Sequence, residues 1–268
     1  MSLYEIPWEM IFQIDRKKIE RVFADYAAGY DADNIKIRLK IDHTYRVASF
    51  TERIADSLSL DRTDVDFAWL SGMLHDIGRF EQLKRYGTFI DRLSVDHAEL
   101  GADILFEEGL INTFTDMDAA PERRNMLETA IRLHNKLALP EDLDDQTRMF
   151  SDILRDADKC DIFRVLTEPP FDERNQKIMQ TKDPARESVM EYVRKHQCVP
   201  RNKEYTALEG LISQCCMAFE LVYPESKRIV KEQGYLDSLL NLELQAGPDE
   251  QMAELKRELD KSFRALNL

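Results

Sequence analysis

Residues 70–80, LSGMLHDIGRF, place a histidine and an aspartate at the end of an apolar run. The run reads as a buried helix, and His75 and Asp76 follow its last apolar residue. An acidic side chain at the end of a buried helix is costly unless it is paired or binds a metal ion. The small residues Ser71 and Gly72 share a face with His75 and would let a second helix approach closely. This stretch therefore predicts a buried polar site where helices meet.

Three other histidines lie on apolar faces of predicted helices. His43 begins one helix, and His97 and His134 each share a face with aliphatic residues of their own helices. Four buried imidazoles with unrelated partners would each need separate hydrogen bonds. A shared metal centre would satisfy them together. His196 lies in a polar stretch and is predicted to be on the surface.

Helical periodicity covers most of the chain. Predicted helices span 15–29, 43–58, 64–75, 96–108, 122–137, 146–166, 185–196, 204–222, 225–244 and 249–266. Residues 79–95 lack a sustained period and are predicted to be irregular. No segment reads as a strand, so the predicted fold class is all-α.

Composition excludes several classes of protein. The chain has 37 Lys and Arg against 51 Asp and Glu, a net charge of −14, which argues against binding a nucleic-acid polymer. Its apolar stretches fall short of the roughly 18 residues that a membrane span needs. The four cysteines form no CxxC pair and are interpreted as reduced thiols in a cytoplasmic protein.

Asp156 and Asp158 are two candidates for an inward-facing aspartate on the same predicted helix. Asp158 shares a helical face with Phe150 and Leu154, which predicts that it points inward. Asp156 shares a face with Asp152 and is predicted to be solvated. Helical geometry therefore favours Asp158 as a ligand.

The ordered set His43, His75-Asp76 and Asp158, each part on its own helix, resembles the HD superfamily of metal-dependent phosphohydrolases. The strings IDHTYRVASFTERIA, LSGMLHDIGRF and ILRDADKCDIF carry the resemblance. His97 and His134 look like the two extra histidines of members that bind two metal ions. The resemblance implies an HD-domain helical bundle over roughly 35–165. Residues from about 166 to 268 would be a C-terminal helical extension, so that 1–268 form a single all-helical unit.

Carried onto this chain, the resemblance implies two divalent ions, with Mn, Fe, Co, Ni and Zn all compatible with the donors. The first ion would be held by His43, His75, Asp76 and Asp158, and the second by His97, His134 and a bridging Asp76. The substrate would be a small phosphate ester, such as a nucleotide, attacked by a metal-bound hydroxide. Asp76 would be catalytic, and Arg46 and Arg79 lie beside the ligands in sequence and would hold the phosphate.

Several alternatives stay open. After His134 the chain reads HNKLALP and lacks the Gly-Tyr-Pro string of cyclic-dinucleotide phosphodiesterases in this superfamily. The same ligand order also occurs in HD-fold mixed-valent di-iron oxygenases, and a non-catalytic sensor or binding module would keep the fold. An apolar C-terminal stripe around Leu255 and Leu259 is interpreted as core packing or as the contact of a homodimer.

Overall fold

The computed structural model describes residues 13–168, 183–200, 202, 204–242 and 249–264. Across these residues the secondary structure is helical and contains no strand, which confirms the all-α class. The chain divides into two compact units, Met1–Ala157 and Asp158–Leu268. Within the described residues, none of the helices has the length and hydropathy of a membrane span.

The first unit contains seven complete helices and the start of an eighth among the described residues. They are α1 (Arg16–Ala28), α2 (Ile35–Ser57), α3 (Arg62–Leu74), α4 (Ile77–Tyr86), α5 (His97–Ala102), α6 (Ile111–Phe114), α7 (Pro121–Leu133) and α8 (Asp145–Val165). A 3-10 turn (Asp91–Leu93) precedes α5, and a π-helical segment (Asp103–Glu107) follows it.

Two predictions about this unit are wrong. The helix predicted from residue 43 begins at Ile35, where the Asn34 side chain accepts a hydrogen bond from the Lys36 backbone N–H and caps it. His43 therefore lies inside a helix and does not start one. Residues 79–95 are not irregular throughout, because α4 continues to Tyr86 and ends at Gly87, whose φ of 69° suits glycine.

The second unit continues α8 and adds five shorter helices among the described residues. They are α9 (Glu187–Arg194), α10 (Ala207–Cys215), α11 (Pro224–Gln233), α12 (Tyr235–Leu240) and α13 (Asp249–Arg264). The helix predicted over 225–244 is interrupted at Gly234, which adopts a φ of 69°. The last residues of the helices predicted over 225–244 and 249–266 lie outside the described part of the chain.

Two glycines bring the helices of the first unit together around residues 75 and 76. A Cβ on Gly72 would lie 2.6 Å from the Ala48 Cα, so this position of α3 packs directly on the backbone of α2. A Cβ on Gly78 would collide with the backbone at His97 and Gly101, so α4 and α5 pack equally closely. The glycines thus place the helices that carry His43 and His97 on either side of the His75-Asp76 pair.

Candidate metal centre

Two of the histidines follow the last residue of a helix and bond to that helix's own backbone. His75 follows α3, and its Nδ1 lies 2.8 Å from the Gly72 carbonyl oxygen. His134 follows α7, and its Nδ1 lies 2.7 Å from the Ile131 carbonyl oxygen. A carbonyl oxygen can only accept, so Nδ1 donates in both rings. In the neutral imidazole this leaves Nε2 as a lone-pair donor to a cation.

The third histidine is oriented by a carboxylate. His97 Nδ1 lies 2.8 Å from Asp91 Oδ2. Burial would raise the pKa of Asp91, but the His97 and Arg79 side chains lower it to a value well below the usual one, so the carboxylate is ionised and accepts. Burial lowers the pKa of His97, and the Arg79 guanidinium lowers it further. A neutral His97 with Nδ1 protonated presents Nε2 as the metal-binding atom.

The Nε2 atoms of the four histidines form two close pairs. His43 and His75 face each other at 3.3 Å, and His97 and His134 at 3.0 Å. All four rings are buried. In the His97–His134 pair both Nδ1 atoms donate, so two Nε2 lone pairs face each other and repel unless a proton or a cation lies between them. The arrangement is therefore costly in isolation and favourable around cations.

Asp76 lies between the two histidine pairs and gives one oxygen to each. Its Oδ2 is 3.4 Å from Nε2 of His43 and of His75. Its Oδ1 is 3.5 Å from Nε2 of His97 and 3.8 Å from Nε2 of His134. Although Asp76 occupies the N-cap position of α4, it caps none of the described backbone N–H groups. The carboxylate is thus directed at the histidines.

These separations fit divalent transition-metal ions. Two ligand atoms bound to one ion at about 2.0–2.2 Å, with an angle near 90–110°, lie about 2.8–3.6 Å apart. The two histidine pairs and three of the four contacts between Asp76 and histidine fall within this range. Ligand atoms of His75, Asp76 and His134 all lie within 4.8 Å of one another. Buried imidazole nitrogens around one carboxylate are also the donor set that such ions prefer.

Lys40 is part of the centre and was not predicted from the sequence. Its Nζ lies 2.5 Å from Asp76 Oδ2, and the side chain is buried. Burial alone would raise the pKa of Asp76, but Lys40, followed by the His75 and His43 imidazoles, holds it well below the usual value. The signal in the sequence was the spacing, since residues three apart share a helix face and Lys40 precedes His43 by three.

Arg79 lies beside Asp76 and also contacts Asp91, and a role for it in holding phosphate stays a prediction. Its Nη1 donates to Gln82 Oε1, to the Phe89 carbonyl oxygen and to Asp91 Oδ1 at 2.7–2.9 Å. Its Nε is buried 3.7 Å from Asp76 Oδ1, with no hydrogen-bond partner among the described residues. The Nη1 atom therefore holds Asp91, and the Nε–H group is a donor beside Asp76 that has no hydrogen-bond partner among the described residues.

Arg46 lies one turn after His43 on α2, with its guanidinium 5.5 Å from the centre of the Phe50 ring. A role for Arg46 in holding phosphate stays a prediction. His196 lies on the surface as predicted, where its Nε2 is 2.9 Å from Glu258 and its ring stacks on Phe219.

The prediction that Asp156 is solvated is wrong. Asp156 is fully buried, whereas Asp158 is half-buried. The faces were assigned from neighbours within one helix, and burial depends also on what packs against that helix. Asp158 is the first residue of the second unit and lies within the continuous helix α8. Its assignment as a ligand stays a prediction.

Comparison with known proteins adds one finding. The family model of the HD domain matches residues 41–164. Neither a curated protein nor a solved structure shows significant similarity to the chain. The matched residues include the four clustered histidines and Asp76. Residues 41–164, a little under half of the chain, therefore carry a match to the HD domain.

Proposed function

We propose that this protein is a metal-dependent phosphohydrolase with a binuclear centre that acts on a nucleotide or another small phosphate ester. The observation that carries the proposal is the position of Asp76, with each carboxylate oxygen facing its own pair of Nε2 atoms. Two pairs of nitrogen donors joined by one carboxylate match the requirement of two neighbouring cations.

His43, His75 and Asp76 would hold one ion together with Asp158. His97, His134 and the second oxygen of Asp76 would hold the other. Bound there, two divalent ions would acidify water and neutralise charge on a phosphate ester. No donor in this set decides between Mn, Fe, Co, Ni and Zn.

The side chains around the ions have separate tasks. Asp91 keeps the Nδ1 proton on His97, which directs Nε2 inward. The backbone carbonyl oxygens of Gly72 and Ile131 do the same for His75 and His134. Arg79 Nε is a donor suited to a phosphate oxygen, because it is buried next to the carboxylate and has no hydrogen-bond partner in the described residues.

The test is a panel of phosphorylated metabolites assayed after loading chelator-treated protein with each of the five metals. We expect phosphate or nucleotide release that requires metal and does not require oxygen. Loss of a substrate only in air by iron-loaded protein would instead identify an HD-fold oxygenase. Absence of turnover with every metal, together with ligand binding, would identify a sensor or binding module. A cytoplasmic location and a homodimer stay predictions.

A further inference from the structure

Lys40 is a buried residue of the centre that a metal site does not require. Its Nζ contacts the Oδ2 atom of Asp76, the same oxygen that faces the Nε2 atoms of His43 and His75. Lys40 is 6 % exposed, so its ammonium group has little access to water. Lys40 also lies one residue before the segment 41–164, which the HD domain model matches.

We infer that Lys40 is an internal cation that competes with the metal ion for Asp76. In the metal-free protein its ammonium, 2.5 Å from Oδ2, is the nearest counter-charge of the buried Asp76, because Arg79 lies 3.7 Å from Oδ1 and also pairs with Asp91. When the imidazoles are neutral, the positive charge of Lys40 cancels the negative charge of Asp76. A divalent ion beside His43 and His75 must share Oδ2 with the ammonium or displace it, and like charges at such short range repel.

The surroundings of Lys40 allow such a movement. Its Nζ lies 5.9 Å from the centre of the Phe89 ring, which is half-buried and also lies 5.7 Å from the Arg79 guanidinium. An aromatic face stabilises a cation that gives up part of its ion pair. Lysine suits this role, because its ammonium sits on a flexible stem and can move without repacking a planar group.

The inference rests on the proposed metal centre and predicts two opposite effects of one substitution. Replacing Lys40 by methionine removes the competing charge, so Mn²⁺ should bind more tightly, by about tenfold in Kd. The same replacement removes the nearest counter-ion of Asp76 in the metal-free protein and leaves only the more distant Arg79, so this protein should unfold at a lower temperature. A lysine that merely orients Asp76 for the metal would instead weaken binding when removed.

The experiment is titration of chelator-treated protein with Mn²⁺, with the unbound ion followed by electron paramagnetic resonance, and thermal unfolding without metal. Lys40→Met is compared with Lys36→Met, one turn earlier on α2, and with Lys40→Arg, which keeps the charge. Tighter Mn²⁺ binding and lower metal-free stability in Lys40→Met, and in neither Lys36→Met nor Lys40→Arg, would support the inference. Lys40→Gln, also uncharged, makes the same test if Lys40→Met does not fold.

Equal or weaker Mn²⁺ binding by the uncharged variants, with the wild-type protein binding normally, would overturn the competition while leaving the metal centre in place. Failure of the wild-type protein to bind Mn²⁺ or any of the other four ions would overturn both. The two failures are therefore distinguishable by the behaviour of the wild-type protein.

Discussion

The two halves of the centre are built differently, although each pairs two histidines with one oxygen of Asp76. In the His43–His75 half, the Oδ2 atom of Asp76 lies 2.5 Å from the Nζ atom of the buried Lys40. In the His97–His134 half, the oxygen faces Arg79 Nε at 3.7 Å, and a carboxylate holds His97. The first half comes from α2 and α3, which pack directly on each other. The second half depends on the Asp91–Leu93 turn as well as on helices.

This difference suggests that the halves have different affinities for metal. A competing cation lowers affinity in the first half, and a supporting carboxylate raises the basicity of His97 in the second. Substitutions in each half can test whether the two halves are distinct.

Asp76→Asn should affect both halves at once. The amide removes the shared negative charge and leaves Lys40 buried without its counter-ion, so we expect at least about a 10³-fold loss of turnover and loss of bound metal. Turnover of the best substrate and elemental analysis measure these effects. Asp42→Asn, at an exposed neighbour of His43, is the control. Wild-type turnover in Asp76→Asn would contradict the proposed function.

His97→Ala should remove one half and spare the other. We expect the metal content to fall from about two ions per chain to about one, with a strong loss of turnover, because each half supplies its own pair of Nε2 atoms. Elemental analysis of protein purified without chelator measures the ratio. If the wild-type protein holds one ion and His97→Ala does not change that value, the centre is mononuclear.

Asp91→Asn tests the support around the second half. Asparagine still accepts a hydrogen bond from His97 Nδ1, but without charge, so affinity for the second ion should fall by about 10- to 100-fold. Asp91→Ala removes the acceptor as well and should have the larger effect. Metal titration of both variants measures the difference in affinity between them. An unchanged second affinity in both variants would show that His97 needs no such support.

Gly72→Ala and Gly78→Ala separate the halves through packing. Each added methyl group meets backbone, so each variant should lose about 1–3 kcal/mol in the free energy of unfolding. Gly72→Ala should weaken metal binding beside His43 and His75, and Gly78→Ala beside His97. Chemical denaturation and metal titration measure the two effects. Similar losses of both ions in both variants would argue that the halves are not independent.

The helix-borne part of the site could be predicted from the sequence, and the part that depends on other segments could not. Helical periodicity and the order of His43, His75, Asp76, His97 and His134 indicated inward-facing imidazoles that the structure brings together. Whether these residues and Asp158 bind metal stays a prediction.

The omissions have physical reasons. Lys40 was overlooked because a lysine on a helix is usually solvated, and only its tertiary contact with Asp76 shows otherwise. Asp91 lies six residues before His97, outside regular helical spacing, and a loop conformation decides their contact. The burial of Asp156 depends on what packs against its helix, which periodicity within that helix does not reveal.

The imidazoles of His75 and His134 have a consequence for motion as well as for binding. Each ring holds a carbonyl oxygen of the last turn of its own helix, at Gly72 and at Ile131. Fraying of either helix end would therefore carry a ligand out of place, and a bound ion would oppose that fraying. Metal should slow amide hydrogen exchange in the last turns of α3 and α7, which makes local opening of these two helix ends a route for metal release.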